Sequence, residues 1–442
     1  MNWALKLAYV GSIIGLVLFH IGFLLTRRSL TKHSSFGLKN EEEKQLQWRH
    51  QLLSHDKVVM LIIDGIRIDM MALNQDGMQS CASKYICNNL KYMQEILRYN
   101  SSQSRLFTFK ADPPTVTSQR IQALMTGTLP SFIDIASNFH ANGLVEDDLL
   151  FQLRHNNRTK HYFLGDDTWG SIYPLEYFTK SYPFDSFNTH DLDSVDNGIA
   201  SNMWQVYSDS EWDALIIHFL GLDHVGHTYD ITHPLMSTKL RDYDQLLQKV
   251  IDSLPENALL LLFGDHGMTD DGNHGGSSTE ETDSGLFIYS KRSIFPDALV
   301  NESGVYVETW NELSGVREYT DINQALVYPR LVQQIDLVPT LSLLLQVPIP
   351  YSSIGKIIPE VFFIIGENIK HVLDINLHQV VTYLNDYYGN QAYVMMEDAG
   401  HASRLAYLDQ IQSDCRKVWT EFNIPCMAAG KSFLCRYPYI PI

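Results

Sequence analysis

A layered α/β domain built on a mainly parallel sheet is the fold class the sequence predicts, and three observations carry it. Short apolar runs recur at 58–63, 162–164, 214–220, 259–263 and 286–289, with the length and continuity of strands buried on both faces. Helical and loop stretches separate them, which is the spacing of strands joined by crossovers. Acids and imidazoles follow several of the runs, and open α/β sheets place their chemistry beyond the carboxyl ends of the strands.

The composition agrees with a folded chain. Of 442 residues, 45% are hydrophobic and 19% charged, enough for a sizeable core and the opposite of a disordered composition. Lys plus Arg number 33 against 51 Asp plus Glu, a formal charge of −18, which excludes a nucleic-acid backbone as the expected partner. An acidic chain that handles phosphates needs metal ions to supply the positive charge. The five cysteines, Cys81, Cys87, Cys415, Cys426 and Cys435, are too few for a disulfide-dense scaffold. Cys81 and Cys87 can pair in an oxidising compartment, as can two of the last three, and the odd count leaves at least one thiol over.

The elements follow in chain order. Residues 7–25 hold no Asp, Glu, Lys or Arg for 19 positions, long enough to span a bilayer. With no small-x-small cleavage site after it, the stretch 1–28 reads as an uncleaved signal anchor. Its flanking charges, Lys6 before and Arg27, Arg28 and Lys32 after, would by themselves keep the following domain in the cytosol. Residues 29–54 are polar, include Glu41-Glu42-Glu43-Lys44, and read as a tether. A compact domain is expected over 55–356, and a tail with helical patterns at 373–384 and 402–422 over 357–442. Sequons at Asn100, Asn157 and Asn301 suit a glycoprotein but are as frequent as chance placement gives.

The strand ends hold the chemistry. The first run ends in Asp64-Gly65, the third leads into Asp223-His-Val-Gly-His227, and the fourth ends in Gly264-Asp265-His266-Gly267, with His274-Gly275 close behind. Taken singly, an Asp-Gly after a strand is a turn and a His on a loop is solvated or capping. Together, that many carboxylates converging on one sheet edge would be costly to bury without cations. Asp64, Asp223, His227, Asp265, His266 and His274 form the donor set of two zinc ions, which take imidazole nitrogen and carboxylate oxygen. His190, His218, His224 and His233 are read as structural or exposed.

A two-metal site calls for a nucleophile, and Asp112-Pro-Pro-Thr115-Val-Thr117-Ser-Gln-Arg120 offers hydroxyls at a helix start, where backbone N–H groups also receive phosphate. The plain alternative is that Thr115, Thr117 and Ser118 are N-caps.

At this point the residues resemble a known family. Asp64-Gly65, Pro114-Thr-Val-Thr-Ser-Gln-Arg120 with Ala123-Leu-Met-Thr-Gly-Thr-Leu-Pro130, Gly165-Asp-Asp-Thr-Trp169, Val195-Asp-Asn-Gly198, His218 to His227 and Gly264-Asp-His-Gly-Met268 are similar to the luminal domain of the GPI ethanolamine-phosphate transferases, in the alkaline-phosphatase superfamily. The segments 132–139 and 186–196 resemble the third-mannose (PIG-O) type more than the PIG-G type. The likeness covers about 56–356 and includes a closing segment from Ile335 to Pro350.

The resemblance implies an alkaline-phosphatase-like domain in the lumen of the endoplasmic reticulum, two zinc ions, and a phosphoethanolamine transferase. Asp64, Thr117, Asp265 and His266 would hold one zinc, and Asp223, His227 and His274 the other. In the superfamily's Pro-Thr-x-Thr pattern the second hydroxyl resembles the nucleophile, which favours Thr117 over Thr115; Arg120 either reaches a phosphate oxygen or turns to solvent. The donor would be phosphatidylethanolamine and the acceptor a mannose of the GPI precursor glycolipid. Asp166, Asp167 and Trp169 either meet the ethanolamine or sugar or are structural. Family members continue into a multi-spanning membrane region that residues up to Ile442 do not contain, so a small membrane subunit of the PIG-F kind lacks its docking region here. The rival enzymatic reading is a nucleotide-pyrophosphatase-like phosphodiesterase, and the non-catalytic one is an incompetent truncated form. A sulfatase is disfavoured because no cysteine lies near the nucleophile for a formylglycine.

Overall fold

The computed structural model describes residues 12–13, 30–35, 55–72, 82–129, 146–295, 329–362, 369–388 and 408–413. The expected membrane anchor lies outside them apart from Ser12 and Ile13, and among the described residues no helix is long and apolar enough to cross a membrane.

Eight strands form one sheet: β1 (Lys57–Ile63), β2 (Ser104–Lys110), β3 (His161–Asp166), β4 (Lys180–Phe184), β5 (Ala214–Phe219), β6 (Ala258–Phe263), β7 (Asp283–Ser290) and β8 (Leu331–Gln333), in the order β4-β3-β5-β1-β6-β7-β2-β8. The pairings β4–β3, β3–β5, β5–β1, β1–β6 and β2–β8 are parallel, and β7 alone runs against its neighbours β6 and β2. The reason lies in the connections. Crossover helices return the chain between the parallel strands, whereas β6 reaches β7 through a loop at one sheet edge, so β7 must come straight back. The sheet is thus the mainly parallel one expected, with the five predicted runs as β1, β3, β5, β6 and β7.

Period-two burial divides the core. Val58, Met60 and Ile62 of β1 face one layer and Val59, Leu61 and Ile63 the other, with Met60 between Ile216 of β5 and Leu261 of β6. The first layer is covered by α2 (Thr117–Thr126), α3 (Leu149–His155) and α7 (Leu337–Leu344), through Ile121, Leu124, Leu150, Leu153 and Leu341. The second is covered by α1 (Lys91–Tyr99), α4 (Ser194–Ser208) and α6 (Pro234–Ser253), through Met93, Ile199, Met203, Leu240 and Leu247. Each such fully buried side chain contributes about 1.5–3 kcal/mol. Between them α5 (Gly221–Tyr229) follows β5 directly.

The first helix expected in the tail, over 373–384, is α8 (Ile369–Tyr388); the second, expected over 402–422, lies outside the described residues except for the helical 408–413. Its Ile369, Val372 and Leu373 pack in the same core layer as Val58 and Met60, so α8 is part of the domain core. Part of the tether is fastened too: Ser34 N donates to Asp147 Oδ2 at 2.8 Å, Lys32 pairs with Asp386 of α8 at 2.5 Å, and His33 stacks on Phe151. Cys87 is in a disulfide; all other cysteines lie outside the described residues.

Candidate active site

Four parallel strands deliver acids to one edge of the sheet. Asp64 follows β1, Asp166 ends β3, Asp223 follows β5 at the start of α5, and Asp265 and His266 follow β6. Gly65 turns the chain with φ +72°, and a Cβ there would lie 2.5 Å from Met268 Cε and 3.2 Å from Asp223 Oδ1. Only glycine tolerates both the conformation and the approach, so this residue lets Asp64 and Asp223 meet. Asp223 and His227 sit one turn apart on α5, on one face, with His227 Nε2 3.4 Å from Asp223 Oδ2. That helix is capped from outside: Asp196 Oδ1 accepts from the N–H groups of Leu220 at 3.2 Å and Gly221 at 3.1 Å. Lys239 Nζ and Tyr243 OH hold the other Asp196 oxygen at 3.1 and 2.8 Å. This is what the Val195-Asp-Asn-Gly198 motif does.

Two donor groups result. Asp64, Asp265 and His266 form one and Asp223, His227 and His274 the other, with ligand atoms in each within 4.8 Å of one another. His266 Nε2 lies 3.2 Å from Asp64 Oδ1 and 3.4 Å from Asp265 Oδ2, and His274 Nε2 lies 3.8 Å from Asp223 Oδ1. The His266 and His274 rings stack at 3.9 Å between centroids, so the groups adjoin. Thr117 Oγ1 stands 3.4 Å from both Asp64 Oδ2 and His266 Nε2. It opens α2 as its first residue, and Val116 occupies the cap position without a side-chain cap bond. Thr117 is therefore not an N-cap.

Thr115 is employed differently. Its hydroxyl donates to Gly276 O at 3.0 Å and accepts from Gly275 N at 2.9 Å, while its carbonyl lies 2.8 Å from His274 Nδ1. A carbonyl only accepts, so His274 carries its hydrogen on Nδ1 and keeps the Nε2 lone pair free. His266 repeats the device, with Nδ1 2.9 Å from Gly267 O.

Electrostatics make the metal-free cluster costly. Burial, and then Asp64 and the other nearby carboxylates, push Asp223 and Asp265 well above the usual carboxylate range. Burial acts on Asp64 in the same direction, but His266 and His218 outweigh it and hold that carboxyl low. Burial first, and then His274, bring His266 down to about 3. Among the described residues, Asp64 Oδ1, Asp223 Oδ1 and both Asp265 oxygens are buried without a hydrogen-bond partner. Lone pairs from carboxylate oxygens and imidazole nitrogens converge on this point, and a divalent cation fits that donor set.

Arg120 turns inward, fully buried. Its Nη1 donates to Gln334 Oε1 at 3.3 Å, and Gln334 Nε2 donates in turn to Asp265 O at 2.6 Å. Burial pulls its pKa down to about 10, against the pull of Asp112 and Asp265. The solvent-facing alternative is thus overturned, because the helix face that carries Arg120 packs onto the residues beneath Asp265. Trp169, considered for contact with the ethanolamine or sugar, is also fully buried, and its indole Nε1 donates to His218 Nδ1 at 3.0 Å. His218 and Asp166 join Asp64 in a third buried group that the strand-end reading left out. The available signal was His218 itself, a polar residue inside the apolar run of β5.

The type I phosphodiesterase / nucleotide pyrophosphatase family matches residues 168–276. The chain is 36% identical over 405 residues to the human GPI ethanolamine phosphate transferase 3, catalytic subunit, covering 88% of this chain and 34% of that protein. It is 34% identical over 439 residues to GPI ethanolamine phosphate transferase 3 of Schizosaccharomyces pombe, covering 95% of this chain and 44% of that one. The chain thus spans between a third and a half of the length of these relatives. Among solved structures, an alkaline phosphatase superfamily protein from Vibrio parahaemolyticus aligns with a TM-score of 0.44 at 14% identity, over 69% of each chain.

Proposed function

We propose, from the premise that this chain belongs to the GPI ethanolamine phosphate transferase family, that it transfers phosphoethanolamine from phosphatidylethanolamine to the third mannose of a GPI precursor through Thr117. The observation that carries the reading is the place of the Thr117 hydroxyl, 3.4 Å from Asp64 Oδ2 and from His266 Nε2 at the mouth of a buried acid–imidazole cluster.

Asp64, Thr117, Asp265 and His266 are the residues to hold one zinc ion, and Asp223, His227 and His274 the second. Bound there, the ions supply Lewis acidity that makes a hydroxyl acidic and offsets charge on phosphoryl oxygens. Asp64 Oδ2 accepts the Thr117 hydroxyl's hydrogen bond and orients its oxygen. The first N–H groups of α2 face a phosphoryl group placed against Thr117. Thr117 Oγ1 bonds to phosphorus as the P–O bond to diacylglycerol breaks, and the hydroxyl proton ends on diacylglycerol. The mannose 6-hydroxyl oxygen then bonds to the same phosphorus, the Thr117 O–P bond breaks, and the mannose proton restores the threonine. Arg120, through Gln334, steadies the Asp265 backbone beneath this exchange.

The disulfide at Cys87 suits an oxidising compartment, in keeping with a luminal domain of the endoplasmic reticulum membrane. The phosphodiesterase family match over residues 168–276 favours a second reading, in which water makes the final attack and phosphoethanolamine is released. One experiment separates them: mass spectrometry of zinc-loaded protein after incubation with detergent-solubilised phosphatidylethanolamine, with and without a mannoside acceptor. A phosphoethanolamine adduct on Thr117 that moves to the mannoside supports the transferase. An adduct that only hydrolyses supports the phosphodiesterase, and a fully zinc-loaded chain with no adduct counts against Thr117 as nucleophile.

A further inference from the structure

His218 lies within β5, fully buried, in the third group with Asp64 and Asp166. By composition this is the same set as Asp64, Asp265 and His266: two carboxylates and one imidazole. The hydrogens separate them. An indole N–H can only donate, so the 3.0 Å contact from Trp169 Nε1 makes His218 Nδ1 an acceptor, and a neutral imidazole must then carry its proton on Nε2. His266 and His274 have the opposite tautomer, with Nδ1 spent on a carbonyl and Nε2 open. A nitrogen that bears hydrogen has no lone pair for a metal. Asp166 Oδ2 offers no way around this, because it stands 4.0 Å from Nδ1, the nitrogen already engaged by Trp169, and Asp166 Oδ1 accepts from Thr168 N at 2.8 Å.

We infer that His218 is not a metal ligand but a positioning residue, locked by Trp169 into the Nε2–H tautomer so that it donates toward Asp64 Oδ2, the oxygen that faces Thr117. The two atoms are 3.5 Å apart, so a shift of a few tenths of an ångström gives a charge-assisted hydrogen bond. Such outer partners orient a ligating carboxylate, and their loss lowers metal affinity about 10- to 100-fold. The Gly165-Asp-Asp-Thr-Trp169 motif thereby acquires a role: the helical turn Thr168–Ile172 just after β3 carries the indole that sets the tautomer of an imidazole on the neighbouring β5. Gly165 permits the approach, since at φ +133° its Cβ would fall 2.1 Å from His218 O.

The inference rests on Asp64 being a ligand, and its test keeps the two apart. Imidazole ¹⁵N correlation spectra of the full chain in detergent, first metal-free and then loaded with ¹¹³Cd²⁺, read tautomer and ligation separately. Expected are Nε2–H for His218 in both states, loss of that preference in Trp169→Phe, and ¹¹³Cd coupling to His266 and His274 Nε2 but not to His218. His218→Leu should bind cadmium about 10- to 100-fold more weakly, with His218→Gln, which restores an N–H toward Asp64, recovering most of the loss. Cadmium coupling to His218, an Nδ1–H tautomer, or a folded His218→Leu with unchanged affinity overturns the inference alone. A wild-type chain in which neither His266 nor His274 couples to cadmium overturns the metal site and the inference together.

Discussion

The two ends of the same strands are built on opposite terms. At the amino end of the sheet, carboxylates find donors: Asp213 Oδ2 accepts from Lys160 N at 2.9 Å and Asp56 from Asn257 Nδ2 at 3.1 Å. Lys57 Nζ there donates to the carbonyls of Ser210 and Trp212, both at 2.7 Å. At the carboxyl end, Asp64, Asp223 and Asp265 face one another and four imidazoles, His218, His227, His266 and His274, with buried oxygens left unpaired. One end contributes stability directly. The other holds an electrostatic cost that a bound cation would offset, and the same unpaired lone pairs that destabilise the metal-free chain would be its donors.

The sharpest way to break this contrast is to alter chemistry without altering the cluster's charge. Thr117→Ala should lower turnover on the order of 10⁴-fold while zinc content and melting temperature stay near wild type, as read by transfer assay, metal analysis and calorimetry. If Thr115→Ala lost turnover with its fold intact while Thr117→Ala did not, the nucleophile assignment would be wrong.

Asp265→Asn tests the cost itself. Zinc at 1,000 times its dissociation constant should stabilise the wild type by about 4 kcal/mol, and most of that gain should vanish in the variant. In chelator the order reverses: the variant should be more stable than wild type by about 1–3 kcal/mol, since an unpaired buried carboxylate has been removed. Equal stability in chelator would mean the carboxyl end carries no such cost.

A pH titration separates the ends further. At the amino end His55 is brought down to about 4, by burial first and then by Arg292, so the folded chain binds fewer protons there than the unfolded chain between pH 4 and 6.5. Its contribution is fully present above pH 6.5 and is lost as pH falls toward 4, on the order of 3 kcal/mol. His55→Gln should flatten that acid limb in denaturant titrations of zinc-free protein. An unchanged slope would assign the limb to other groups, His161 foremost, which burial also brings down to about 4.

The smallest effect is expected from Asp213→Ala, which removes one backbone hydrogen bond at the amino end for about 1 kcal/mol. Zinc affinity and turnover should not change. A loss of metal there would show that the two ends are coupled.

Much of this architecture could be read along the chain. Strands β1, β5 and β6 are buried on both faces, so they stand out as continuous apolar runs, and an acid or imidazole after each is conspicuous. Other strands are not marked in this way. Strand β2, SRLFTFK, mixes Arg105, Thr108 and Lys110 with apolar residues because some of its positions are only partly buried. Strand β4 is an edge with Pro183 in it and no fully buried position, and β8 is three residues long. None of them has a run to detect.

What the sequence by itself determined is therefore local: the hydrophobic period that makes a doubly covered sheet, and the donor residues that sit just past its strands. Which of those donors meet, and in what protonation, was decided by tertiary contacts between residues far apart in the chain. Thr115 and Thr117 are alike as residues and two positions apart, yet one holds the His274 carbonyl contact and the other faces Asp64. His218 and His266 are both buried imidazoles beside Asp64, and only their other nitrogens, one receiving an indole N–H and one facing a carbonyl, tell them apart. A hydrogen bond's direction depends on the partner as well as the residue, and the partner is supplied by the fold.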